Sequence, residues 1–233
     1  MKTATATATG IGIYLVGLAV GYQVILRDRC LNWGSGKDEV ARTMPGDDLL
    51  TAPDIVATRS ITIDTGPERI WPWLVQMGPG RGGAYTYDWI ENLLGLSMHS
   101  ADMILPEFQN LSVGDTFALG ETGPRMRVAV LETERAVVFA SADGHWVWAF
   151  GLYPSDEGTR LVSRNRITLP DAAAPTRLVK RLIMEPGSWV MERKMLLGIK
   201  QRAESDPSEK TPSSPRVAHR PHSTGDQGLE KRR

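Results

Sequence analysis

The sequence predicts an α+β domain, on three patterns. Arg59-Ser60-Ile61-Thr62-Ile63 alternates as a strand does, and two helical stretches follow it. From Gly114 onward the texture changes to strand-like runs separated by short turns. A long amphipathic pattern over residues 177–203 then closes the unit.

The chain opens on another texture. Residues 4–26 hold no charged side chain, and their strongest part, IGIYLVGLAVGYQVIL, stops at Arg27-Asp28-Arg29. A helix of that length reaches about 35 Å against a hydrocarbon core of about 30 Å, so a single-pass transmembrane helix is expected. Ala19-Val20-Gly21 resembles a small-x-small cleavage site, which leaves a signal peptide open; a buried core helix is a third option. Arg27, Arg29, Lys37 and Arg42 follow the run while Lys2 precedes it, which leans toward a membrane protein with a cytoplasmic main domain. Residues 27–53 read as a connector with turn signals, WGSG and PGDD, and one short helix near 37–43.

Residues 54–204 read as the folded domain. Asp64 or Thr65 suits a helix cap, Pro67 the first turn and Glu68 the dipole, with Ile70, Trp71, Leu74 and Met77 at helical spacing behind them. Pro72 is expected to bend that helix or sit near its start. A Gly-rich loop, 78–83, leads to a second helical stretch over 87–94. Strands are expected over 116–119, 126–132, 136–141, 146–153 and 160–169. The closing helix, interrupted near Pro186-Gly187, sets Trp189, Val190, Met191, Met195, Leu196 and Ile199 against Glu192, Arg193, Lys194 and Lys200. Residues 205–233 are rich in Pro, Ser and charge, bury too little to offset ordering entropy, and are expected to be a disordered tail.

Composition narrows the chemistry. Of 233 residues, 27 are Lys or Arg and 27 are Asp or Glu, so nothing in the net charge draws the chain toward nucleic acid. A single cysteine, Cys30, excludes an intramolecular disulfide and a Cys-rich zinc site. Two of the four histidines, His219 and His222, fall in the polar tail, so no metal and no cofactor is expected.

The segments ITIDTGPERIWPWLVQMGPGRGGAYTYDWIENLLGL, HSADMILPEFQNLSVGD, TRLVSRNR and EPGSWVMERKMLLGIKQRAE resemble bacterial proteins of the SRPBCC superfamily, which groups START-like, polyketide cyclase-like and pollen-allergen-like domains. The resemblance covers about residues 32–204. It implies a helix-grip fold, a curved antiparallel sheet around a long C-terminal helix, with an apolar cavity between them. Members include enzymes and carriers, so it does not choose between the two.

Gly78-Pro79-Gly80-Arg81-Gly82-Gly83 matches G-x-G-x-x-G, but a dinucleotide fingerprint needs a strand before it, and here a capped helix precedes it. A flexible connection between helices is the better reading. Tyr85, Tyr87, Asp88, Trp89, Glu91 and Asn92 form a polar-aromatic cluster able to orient a ligand head; the plainer reading packs the aromatics, lets Asp88 cap and leaves Glu91 in water. His99 with Asp102 and Glu107 is a candidate proton-transfer site, and Tyr87 with Asp88 is another. Trp146, Trp148 and Phe150 share one strand face as core or cavity wall, after His145 at the strand's start. Arg125 and Arg127, and likewise Arg160, Arg164 and Arg166, read as solvated outer faces, which turns Ser163 and Asn165 inward with Leu161 and Ile167.

The expected function is a membrane-tethered binding domain for a hydrophobic small molecule such as a lipid, quinone, isoprenoid or polyketide. Trp146, Trp148, Phe150, Asn165, Met191, Met195, Leu196 and Tyr85 are its expected ligand-contacting residues. The alternative is a cofactor-independent cyclase, dehydratase or hydrolase using His99, Asp102, Tyr87 or Asp88. A partner-binding membrane protein with an incidental cavity is the third reading.

Overall fold

A computed structural model describes residues 17, 20–120, 123–170 and 174–205. Six antiparallel strands form one sheet: β1 (Ile55–Ile63), β2 (Thr116–Ala118), β3 (Arg125–Glu132), β4 (Ala136–Ser141), β5 (Trp146–Ser155) and β6 (Gly158–Ile167). Their order is β1-β6-β5-β4-β3-β2, so the last strand in sequence pairs the first and the others follow as a meander. The helices are α1 (Arg27–Leu31), α2 (Lys37–Ala41), α3 (Pro67–Val75), α4 (Asp88–Leu93) and α5 (Ala174–Glu204).

One sheet face carries the larger core. Phe150, Leu161, Val128, Val137 and Phe139 meet Ile70 and Leu74 of α3 and Met195, Leu196 and Ile199 of α5. Alternation along each strand sends these residues to that face, while Val138, Val147, Ala149 and Val162 turn to the other and pack with Met44. Helix α5 lies against β1, α3 and α1. It runs unbroken through Pro186, where an interruption is expected from the sequence.

Two expectations about architecture are corrected. The sheet is open, with β1 and the three-residue β2 as its two edges, and is not curled around α5 as a helix-grip fold requires. Among the described residues no helix is long and apolar enough to cross a membrane, so the expected transmembrane helix and single-pass membrane placement are not supported. Residues 4–16, 18 and 19 of that run lie outside the described residues. Its end is a five-residue π-helical turn, Tyr22–Leu26, leading into α1. Polar contacts tie it down: Arg27 grips Glu185 of α5 with its Nε and Nη2, and the Tyr22 hydroxyl donates to the same carboxylate at 2.9 Å. The expected tail beyond residue 205 also lies outside the described residues.

The outer face of β6 differs from expectation as well. Arg164 is 3% exposed, and all five of its N–H groups are used. They reach the Thr58 hydroxyl, the carbonyls of Glu39, Val40 and Arg42 at the end of α2, and Asp47. Arg160 grips Glu39, and Arg166 donates to the Leu50 carbonyl at 2.8 Å. Residues 36–50 therefore cover a face that the alternating arginines assign to solvent. Arg125 and Arg127 remain exposed.

Candidate functional site

Strand register builds the floor of the site. Arg59 of β1 lies opposite Ser163 of β6, and Ala57 opposite Asn165. On the other side of β6, Phe150 faces Ser163 and Trp148 faces Asn165. Period-two geometry points all these side chains to the α5 side.

Glu192 of α5 descends onto this floor. One carboxylate oxygen pairs with Arg59, the other accepts from the Ser163 hydroxyl, and the Asn165 amide donates to both at 3.1 Å. Arg59 spends its remaining reach on the Cys30 carbonyl and the Ser188 hydroxyl. The two indoles bond diagonally across the strand pair: Trp146 donates to Asn165 at 2.7 Å and Trp148 to Ser163 at 3.0 Å. Their rings stack with centroids 5.7 Å apart. A hydrogen-bonded network of charged and amide groups thus fixes two aromatic walls.

Beside this floor lies a cavity of about 560 Å³. Trp146, Trp148, Met184, Met191 and Met195 supply apolar wall, and Asn165, Glu192, Glu185 and Ser188 supply polar surface. Toward the β4–β5 turn it meets Ser141, Asp143 and His145. There the Asp143 carboxyl accepts from the Ser141 hydroxyl and from the His145 N–H, which hold it below the usual carboxylate range.

Three residues that line this space each hold a buried polar atom with no hydrogen-bond partner among the described residues: Thr86 Oγ1, Glu91 Oε2 and Thr168 Oγ1. Glu91, on α4, is 5% exposed. Burial pushes its carboxyl up and the charge of Asp88 adds to that, while the nearby Thr86 hydroxyl offsets only part of the rise and makes no well-aligned bond.

The expected residues divide by place. Trp146, Trp148, Asn165, Met191 and Met195 line the cavity. Phe150, Leu196 and Tyr85 are fully buried in the adjoining core, where Tyr85 donates its hydroxyl to the Trp73 carbonyl at 2.9 Å. Asp88 accepts from the Ser100 N–H and hydroxyl, Tyr87 lies under the Lys194 ammonium, and Asp102 pairs with Arg202. The His99 side chain is 97% exposed. None of these four lines the cavity, which leaves the expected enzymatic site without support.

Arg59, Glu185 and Glu192 are missing from the sequence-based site, and Glu91 enters it only through the polar-aromatic cluster, where the plainer reading leaves it in water. One signal was present. Arg59 shares the strand phase of Ile61 and Ile63, and Glu185 and Glu192, one heptad apart, fall on the helical stripe of Leu196, Ile199 and Ala203. Charges in a buried phase mark a polar interior.

The glycine loop forms a closed turn. Gly78 and Gly83 exchange two backbone hydrogen bonds, of 2.9 and 3.1 Å, directly after α3. That is helix before loop, with no strand leading in.

No family model matches the chain, and no curated protein matches it. Among solved structures, it is similar to protein MLL2253 from Mesorhizobium loti at 17% identity, over 64% of this chain and 96% of that one, with a TM-score of 0.38. Protein BH1534 from Bacillus halodurans is similar at 12% identity, over 65% and 99%, with a TM-score of 0.41. The Aha1 dimer from Colwellia psychrerythraea is similar at 16%, over 64% and 96%, with a TM-score of 0.39. Likenesses at this level assign no family, and with no family model matching, the expected membership of the SRPBCC superfamily is not supported.

Proposed function

We propose that the cavity beside β5, β6 and α5 binds a small organic molecule with both an apolar body and a polar head. One observation carries the reading: apolar walls of Trp146, Trp148, Met191 and Met195 border a space of about 560 Å³ together with Thr86, Glu91 and Thr168, each of which holds a buried polar atom without a partner among the described residues. Ligand sites typically measure about 300–1,000 Å³ and combine apolar walls with a few placed polar groups. Buried polar atoms without partners cost roughly 1–3 kcal/mol each, a cost that a ligand head would relieve.

The reading replaces the expected membrane-tethered site for a wholly hydrophobic molecule. Such a molecule would leave Glu91, Thr86 and Thr168 unsatisfied and would lie against Asn165 and Glu192. A membrane partner has no support in any helix of the described residues.

Titration of the full chain with 1-octanol, followed by tryptophan fluorescence, tests the proposal. A saturable change that weakens at least about fivefold in Trp148→Ala is expected, in line with the area an aromatic wall buries. No saturable change, or equal affinity in that variant, would remove the cavity as a site.

A further inference from the structure

We propose that the head group this cavity takes is a protonated amine, held against Glu91 and Thr86. The inference rests on the cavity being a ligand site, as proposed above.

Four carboxylates border the space: Glu91, Asp143, Glu185 and Glu192. Three are satisfied from within the protein. Arg59 neutralises Glu192, Arg27 neutralises Glu185, and Asp143 accepts from the Ser141 hydroxyl and the His145 N–H. Glu91 differs. Among the described residues no salt bridge reaches it, its Oε2 lacks a partner, and the charge nearest in effect is that of Asp88, another anion.

A deeply buried carboxyl without a cation is an unfinished electrostatic arrangement, and the missing element is positive charge. An ammonium brings that charge and three N–H donors, which suits Glu91 Oε2 and Thr86 Oγ1 together. A carboxylate head would meet Glu91 and Asp143, which no arginine among the described residues neutralises, with His145 and the exposed Lys180 as the other ionisable groups at the border. A neutral alcohol supplies one donor and no charge. The ranking amine, then alcohol, then carboxylate follows from the lining, whatever the apolar body.

Three probes with the same eight-carbon tail separate these heads: octylamine, 1-octanol and octanoate, titrated into the full chain at pH 7 and low ionic strength. Octylamine is expected to bind at least about tenfold tighter than 1-octanol, the scale of a hydrogen bond to a charged group, and octanoate weakest. In Glu91→Gln the advantage of amine over alcohol should shrink to about twofold or less. The ranking on the unmodified protein is read without any variant. Equal binding of octylamine and 1-octanol overturns the inference and leaves the site standing. So does an amine advantage that survives in Glu91→Gln. Failure of all three probes removes the site itself.

Discussion

Arg59 of β1 and Glu192 of α5, 133 positions apart in sequence, form an ion pair closed to solvent at the junction of sheet and helix. Two of its partners carry it on to the sheet's aromatic residues. Ser163 accepts from Trp148 and donates to Glu192, and Asn165 accepts from Trp146 while donating to Glu192. The pair therefore links helix position, strand register and the orientation of both indoles.

Breaking this pair on one side should be costly. Arg59→Met alone leaves a buried carboxylate and is expected to lower unfolding free energy by about 3–5 kcal/mol. Adding Glu192→Met should recover much of the loss, short of roughly 1–3 kcal/mol for the Ser163 and Asn165 donors left without an acceptor. Urea unfolding of the two variants checks both figures.

The arginines of β6 and β3 make a second contrast. Arg164→Met should cost about 3–5 kcal/mol, since Asp47 and three carbonyls at the end of α2 lose their donor. Arg125→Met, on an equally alternating strand but exposed, should stay within about 0.5 kcal/mol of the parent. Equal effects would mean that residues 36–50 do not cover the outer face in solution.

These two arginines also show what the sequence conveys. The strands were legible because Met126 and Val128, or Phe150 and Leu152, repeat at the period that a half-buried sheet needs. Alternation says which side a residue faces; it does not say what lies over that side. Alternation assigns Arg164 to water because the segment that buries it, 36–50, looks like a connector. The pattern gives Glu192 and Glu91 to solvent for a related reason, that charge on a helix usually faces out. Only the tertiary pairing with Arg59, and the absence of any such pairing for Glu91 among the described residues, distinguishes the two. The apolar run before Arg27 was read by length and hydropathy, and neither foretells that Tyr22 and Arg27 both bond to Glu185.

Acid should weaken the fold through Glu39. Burial alone would raise its carboxyl, but the Arg160 guanidinium, the Gly36 N–H and the Ser60 hydroxyl outweigh that and hold it at about 2, against 4.5 when free. A carboxyl depressed in the folded state stabilises above its unfolded value and loses that stabilisation as pH falls toward its folded one. The contribution, on the order of 2–3 kcal/mol, should therefore fade between about pH 5 and 2. Glu39→Gln should flatten the dependence of stability on pH in that window; an unchanged slope would contradict the Glu39–Arg160 pairing.

Two glycines of the loop after α3 should respond differently to alanine. Both have positive φ, +68° at Gly80 and +72° at Gly83. Open space surrounds Gly80, so Gly80→Ala should cost only the backbone strain, about 1–2 kcal/mol. A Cβ on Gly83 would stand 2.6 Å from the His99 carbonyl oxygen, and Gly83→Ala should cost more than about 2 kcal/mol. Thermal unfolding of the pair checks the order.

The most direct test of the cavity as a ligand site is methyl NMR of the methionines during titration with 1-octanol. Met184, Met191 and Met195 line the cavity, whereas Met44 packs on the opposite face of the sheet. Saturable shifts of the Met191 and Met195 methyl signals, with Met44 unmoved, are the predicted result. Unmoved Met191 and Met195 signals, or shifts shared equally by Met44, would contradict binding between α5 and the sheet.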